Sequence, residues 1–309
     1  MTPKKYQKVY VEISNVCNLQ CHFCPEVVRE KQFMDPPLFE TIIKAIQPLT
    51  NEVCFHLMGE PLVHPQFTHY VKLCEREKLP VNITSNGVLL NDVRTEALLN
   101  STVRQVNFSV HSFESNFPGK DITTYLEKLF TFVRAAFERR PDLYINFRLW
   151  NLENSSDGAL TNKLVLEKIN HEFSTNIKEV PDVGRKKGVR VINRFYLNFD
   201  SRFLWPHPSQ EFRTTKGFCY GLESHFGILA DGTVVPCCLD KEGEINLGNC
   251  TGRNIQDILN DERASQMTAG FKRFELIEKM CQSCTFISRF DKKALRQSGV
   301  HAPHVVVIS

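Results

Sequence analysis

The chain has 309 residues, 42% of them apolar, with 38 basic against 35 acidic side chains and a formal net charge of +3. That length holds one large α/β domain plus a smaller one, and the even charge balance gives no bulk electrostatic reason to bind nucleic acid or a membrane surface. Eleven cysteines, an odd number in clusters, argue against a secreted disulfide framework; with no signal-peptide pattern and no apolar run approaching about 18 residues, the expectation is a cytoplasmic protein without a membrane partner.

In chain order, Val9 to Ser14 reads as a first strand, followed by a cysteine-rich loop. Asp35-Pro36-Pro37 starts a helix whose Phe39, Ile42, Ile43 and Ile46 recur at helical spacing. Strands are expected at Glu52 to Met58, Pro80 to Thr84, Val103 to Val110 and Leu143 to Trp150, with one more from Val189 to Phe199. Between them lie helical patterns around Phe67 to Cys74, Val93 to Leu99, Tyr125 to Phe137 and Leu160 to Phe173. This β-α alternation predicts a parallel sheet with helices outside, either a barrel or an open doubly wound sheet.

The loop after the first strand carries the strongest signal: Cys17, Cys21 and Cys24, spaced C-x3-C-x2-C. Three thiols so close suit one metal centre. Three thiolates on a [4Fe–4S] cluster leave one iron without a protein ligand, where chemistry can occur. A zinc knuckle is the alternative, but structural zinc wants a fourth protein ligand, and His22 lies awkwardly between two of the cysteines.

C-x3-C-x-aromatic-C after a first strand, with His22-Phe23 before the third cysteine, resembles the signature of the radical S-adenosylmethionine (radical SAM) superfamily. The resemblance implies a partial (β/α)6 TIM-type barrel over residues 1–205. It also implies an open iron that chelates SAM, and cleavage of SAM by a cluster electron to a 5′-deoxyadenosyl radical that takes hydrogen from a substrate. Further matches fall at successive strand ends, where ligands of parallel α/β barrels bind. Met58-Gly59-Glu60-Pro61 is similar to the family's G-G-E-P element, with Met58 for the first glycine; the resemblance puts Gly59 and Glu60 at the SAM ammonium group. Thr84-Ser85-Asn86-Gly87 resembles the T-N-G turn, making Ser85 and Asn86 candidates. Ser109-Val110-His111 stands where many members carry S-x-D, so Ser109 and His111 are candidates for the ribose or the methionine carboxylate. Arg148 is offered to that carboxylate, and Phe23 to the adenine.

Pro206-His207-Pro208 opens an expected linker over 206–217. Beyond it, Asp231-Gly232 between two β-type runs predicts a hairpin that returns Cys237 towards Cys219, and Cys281-Gln282-Ser283-Cys284 adds a C-x2-C pair. Cys219, Cys237, Cys281 and Cys284 would close a fully ligated site, which by thiol count suits zinc or iron–sulfur. The pattern resembles the Twitch form of the SPASM extension, a small α+β domain expected over 218–290, and implies one auxiliary [4Fe–4S] cluster; 291–309 is a tail. Cys238 and Cys250 compete for ligand positions, while Cys54 and Cys74 read as small buried residues.

Gly184 to Arg190 is a basic run expected at the amino-terminal barrel rim, and Phe203 and Trp205 are candidate pocket walls. The leading expectation is a radical SAM enzyme acting on a peptide or small metabolite, with an electron donor such as flavodoxin or ferredoxin. An RNA-modifying enzyme, resting on the basic run, and a non-enzymatic zinc-binding α/β protein are the alternatives.

Overall fold

A computed structural model describes residues 6–152, 156–178, 187–202 and 204–290. Strands β1 (Lys8–Val11), β2 (Val53–Phe55), β3 (Val81–Ser85), β4 (Val103–Ser109) and β5 (Tyr144–Leu149) lie parallel in chain order, and β7 (Phe195–Phe199) follows β5 in the same direction. Helices α1 (Pro36–Ile46), α2 (Phe67–Arg76), α3 (Asp92–Leu99), α5 (Thr123–Arg139) and α6 (Ser156–Phe173) form the crossovers, and a short α4 (Ser112–Asn116) follows β4. The expected partial barrel is therefore the observed architecture.

The pleat explains the lumen. Alternate strand residues such as Val9, Val11, Phe55, Ile83, Phe108, Phe147 and Leu197 are buried against the helices in one apolar core, as a period of two requires. The intervening residues turn inward and are polar. Asn107 donates to Asn82 Oδ1 at 2.8 Å and accepts from Asn146 at 3.1 Å. This chain of amides fixes the lumen wall, since buried polar groups must find partners.

The expected strand over Val189 to Phe199 is a hairpin instead. β6 (Gly188–Ile192) turns at Asn193, whose φ is +46°, and runs antiparallel to β7. Asparagine tolerates that left-handed conformation, and an unbroken β-rich composition hides it. The hairpin also corrects the location of the basic run. Lys187 accepts from the Phe199 amide at 2.7 Å, so it stands at the carboxyl ends of the strands, on the side of the cysteine loop. There it pairs with Asp200 at 2.8 Å. Gly184 to Lys186, Phe203 and the 291–309 tail lie outside the described residues.

The C-terminal unit extends the same sheet. β8 (His225–Ile228) pairs parallel with β1, then returns through β9 (Thr233–Val235) to β10 (Gly248–Asn249), giving a 10-stranded sheet. The expected turn forms at Asp231-Gly232, with Gly232 at φ +87°. Helices α7 (Ile255–Leu259), α8 (Glu262–Lys272) and α9 (Lys279–Ser283) complete the unit. Residues expected as a linker are tied to it: Arg213 and Thr214 amides donate to Gln282, and the Gly217 amide donates to Phe274.

Candidate active site

The cysteine loop leaves β1 at the carboxyl edge and encloses a cavity of about 840 Å³ walled by Cys17, Cys21, Cys24, Asn15, Met58, Gly59 and Asn116. Cys24 donates its amide to Cys21 at 3.0 Å, which folds the loop into a turn. Neighbouring amides address the sulfurs: Leu19 N reaches Cys17 Sγ at 3.4 Å and Asn116 Nδ2 reaches Cys21 Sγ at 3.1 Å. Such contacts orient thiolate ligands and tune their basicity. Although Cys17 and Cys24 keep an exposed side, partial desolvation inside the loop pushes the Cys17 thiol up to about 11 and the Cys24 thiol to about 12, so thiolate forms there when a metal replaces the proton.

Two clamps hold this loop, and neither is a family motif noted in the sequence. On one side, α4 supplies Asn116 Oδ1 to the Gln20 amide at 2.8 Å and Ser115 Oγ to the His22 amide at 2.9 Å. The His22 ring also meets Ser115, at 2.7 Å. On the other side, Arg29 Nη2 contacts both oxygens of buried Glu12 at 2.6 Å, and Arg29 Nε donates to the Lys241 carbonyl at 2.7 Å. Glu242 accepts from the Val28 and Arg29 amides at 3.2 Å, while Lys241 donates to Glu26 O at 2.7 Å and pairs with Glu242. The outgoing arm of the cysteine loop is thus fastened to the C-terminal unit. The only advance signal was a run of charges too ordinary to separate from a solvated surface.

Gly59 is required by geometry. Its φ is +72°, and a Cβ would lie 2.3 Å from the Ser14 carbonyl oxygen. Met58, in place of the family glycine, is absent from the residues with positive φ, so its side chain costs no strain. Glu60, Ser85 and Asn86 come together as expected, but they bind one another. Glu60 accepts from Ser85 Oγ at 2.8 Å, Asn86 N at 2.6 Å and Leu62 N at 3.0 Å. Burial, working against those bonds, raises its carboxyl to about 7. Asn86 in turn donates to Asn18 Oδ1 at 2.9 Å, and its carbonyl accepts from Tyr125. Glu60 therefore braces the turn against the cysteine loop.

Phe23, His111 and Trp150 form a ladder from the cysteine loop into the barrel. The Phe23 and His111 centroids are 4.9 Å apart; His111 and Trp150 lie near-parallel at 6.5 Å. The His111 ring is held by the Arg148 carbonyl at 2.9 Å, and burial lowers it to about 4, so it is neutral. Ser109 sits beside Arg148 in the sheet register. The Arg148 guanidinium stacks on Trp150 at 4.7 Å.

A second cavity, of about 680 Å³, opens between β1, β8 and α9 and is lined by Cys219, Cys237, Cys238, Cys281 and Cys284 with Lys8, Tyr10 and His225. Cys219, Cys237 and Cys281 bear on one another, and Cys284 on Cys219 and Cys281. Cys238 lines the same cavity and bears on Cys219 and Cys237 as well; it also bonds Tyr10 and packs against the cluster that holds Cys54. Cys250 is buried in the core under the hairpin, beside Gly232. Cys74 is fully buried, as expected, and Cys54 lies in a small apolar cluster with Tyr10 and Leu57.

Both donor sets fit iron–sulfur clusters: three soft thiols on one open cavity, four on another. Among the described residues no three His, Cys, Asp or Glu side chains converge as they would around a single metal ion. No helix among them is long and apolar enough to cross a membrane.

Comparison with known proteins agrees with this geometry. Residues 11–153 match the radical SAM superfamily, and residues 219–285 match SPASM, an iron–sulfur cluster-binding domain. A Pyrococcus furiosus protein named as the tungsten-containing aldehyde ferredoxin oxidoreductase cofactor-modifying protein is 33% identical over 320 residues, covering 92% of this chain and 87% of its own. The GTP 3′,8-cyclase of Aquifex aeolicus is 22% identical over 302 residues, covering 87% and 94%. Among solved structures, BtrN in complex with AdoMet and 2-DOIA superposes with a TM-score of 0.59 at 16% identity, covering 92% of this chain and 94% of its own. Streptococcus suis SuiB bound to the precursor peptide SuiA gives 0.60 at 17% identity, covering 92% and 70%. These matches set aside the non-enzymatic zinc reading. The chain belongs to the radical SAM superfamily: it is an enzyme with a SPASM-type second unit, whose cofactors are S-adenosylmethionine, a [4Fe–4S] cluster and an auxiliary iron–sulfur cluster.

Proposed function

We propose that this enzyme removes hydrogen from a substrate held in the barrel lumen, between the two thiol sites. Cys17, Cys21 and Cys24 would hold the catalytic cluster, and Cys219, Cys237, Cys281 and Cys284 the auxiliary one. When bound, the catalytic cluster and SAM supply a 5′-deoxyadenosyl radical, given an electron from a donor such as flavodoxin or ferredoxin. The carrying observation is that three thiols wall one cavity, at the carboxyl ends of the barrel strands, and four line a second beside β1 and β8.

The residues divide the work. Gly59 lets the second loop lie against Ser14 and Asn15, leaving backbone groups at the cavity wall. Glu60, Ser85 and Asn86 are positioning residues that brace this edge. Phe23 and neutral His111 offer flat surfaces for the adenine, and Ser109 a hydroxyl beside it. Residues 1–205 would bind the cluster and SAM, and 218–290 the auxiliary cluster.

The 33% identity with the Pyrococcus furiosus cofactor-modifying protein, over an alignment that covers 92% of the chain, favours, among small molecules, a cofactor or its precursor. The likeness to SuiB keeps peptides as a second class. The RNA reading has little support, since Lys187, from the basic run, is spent on Asp200. Anaerobic reconstitution followed by 5′-deoxyadenosine measurement tests the proposal. Reductant-dependent product, stimulated by the true substrate, is expected. Protein that carries iron and sulfide but never forms the product would refute it.

A further inference from the structure

The inner face of the barrel carries two cations, Lys8 and Arg148, for which no ion pair is found among the described residues. Arg148 stacks on Trp150, whose Nε1 is anchored to Asn198 Oδ1 at 2.7 Å. Stacking on one face leaves the edge donors of a guanidinium free for bidentate contacts. Lys8 Nζ lies 5.6 Å from the Tyr10 ring. The His56 ring lies 5.2 Å from the same Tyr10 ring, and the charges of both cations bear on His56, so the three groups face one region.

Acids at the barrel interior and rim are committed elsewhere: Glu12 to Arg29, Glu52 to Arg104 at 3.3 Å, and Asp200 to Lys187 and Arg289. Among the described residues neither Lys8 nor Arg148 has a carboxylate partner. Beside them His56 Nδ1 is buried with no hydrogen-bond partner, an arrangement costly enough to need a reason. Lys8 also lines the cavity of the four thiols. The charges that bear most on Cys219, Cys237, Cys281 and Cys284, and on Cys17, Cys21 and Cys24, do not include Lys8 or Arg148.

We infer that Arg148 and Lys8, with the unpartnered Nδ1 of His56, form an anion subsite on the inner face of the barrel that takes a carboxylate or phosphate of the substrate. The inference rests on the proposed function for the word substrate, and on the lumen alone for the anion. It moves Arg148 from the SAM carboxylate, for which its strand-end position made it a candidate, to the partner molecule.

The test uses anaerobically reconstituted protein, with pyrophosphate and malonate titrated separately by equilibrium dialysis. Saturable binding of one or both is expected; which of them binds tells phosphate from carboxylate. Arg148→Met should weaken it at least about tenfold, the scale of a charge-assisted bidentate contact, with Lys8→Met losing less and Lys187→Met nothing. SAM affinity is measured in the same variants. No saturable binding by the wild type, equal affinity in wild type, Arg148→Met and Lys8→Met, or a parallel tenfold loss of SAM affinity in Arg148→Met would overturn the subsite. Should Arg148→Met fail to fold, Lys8→Met decides alone, because Lys8 is only half-buried. Wild-type 5′-deoxyadenosine formation is scored apart. Its absence with anion binding intact would refute the proposed function and leave the subsite, and the converse would refute only the subsite.

Discussion

The two thiol sites are built in opposite ways. The first draws three cysteines from one short loop, with Cys17 and Cys24 exposed; the second collects four half-buried cysteines from well-separated segments. A site made from distant segments is closed by the fold that brings them together. A site made from one loop must be held from outside, and here α4 grips its inner turn while Lys241 and Glu242 grip its outgoing arm. The contrast suits the tasks proposed for them: an open centre would keep room for a second molecule, and a fully ligated one would not.

Substitutions can sharpen that contrast. Cys24→Ala should have the largest effect: reductive SAM cleavage falls below detection and about four irons per chain are lost, read by product analysis and iron assay. Arg29→Met leaves the buried Glu12 carboxylate without its partner, a loss of about 3–5 kcal/mol. Chemical denaturation should report it, together with faster amide exchange over the cysteine loop; unchanged exchange there would separate the latch from the loop. Gly59→Ala forces a Cβ against the Ser14 carbonyl at a positive φ. It should cost about 1–3 kcal/mol and weaken SAM binding, measured by dialysis. Cys284→Ala should remove about one cluster of iron yet leave uncoupled SAM cleavage partly intact; equal loss in Cys24→Ala and Cys284→Ala would erase the distinction. Asn116→Ala, which removes one amide from Cys21 Sγ, should change cleavage by about tenfold or less, the scale of an outer-shell contact.

The same contrast explains what was legible in advance. Cys17, Cys21 and Cys24 announce themselves because their spacing lies within one loop, and strand ends such as Gly59-Glu60 and Asn86-Gly87 follow once the parallel order is known. The four-thiol set needed a hairpin, which Asp231-Gly232 signalled. Contacts between remote segments stayed hidden: the Arg29–Glu12–Lys241 latch spans most of the chain, and Ser115 lies on a helix too short to show a period. Glu60 lies at the strand end its motif suggests, while its carboxylate serves Ser85 and Asn86. The polar lumen was present in runs such as Ile145-Asn146-Phe147-Arg148, whose inward half reads as ordinary alternation until the barrel closes it.

Mössbauer spectroscopy of protein reconstituted with ⁵⁷Fe, before and after SAM is added, tests most directly whether one site is open and the other closed. One iron in about eight should change its signal on SAM addition while the rest stay as they were. Spectra unaltered by SAM, or protein that takes up zinc at the first three thiols, would contradict an open iron at Cys17, Cys21 and Cys24.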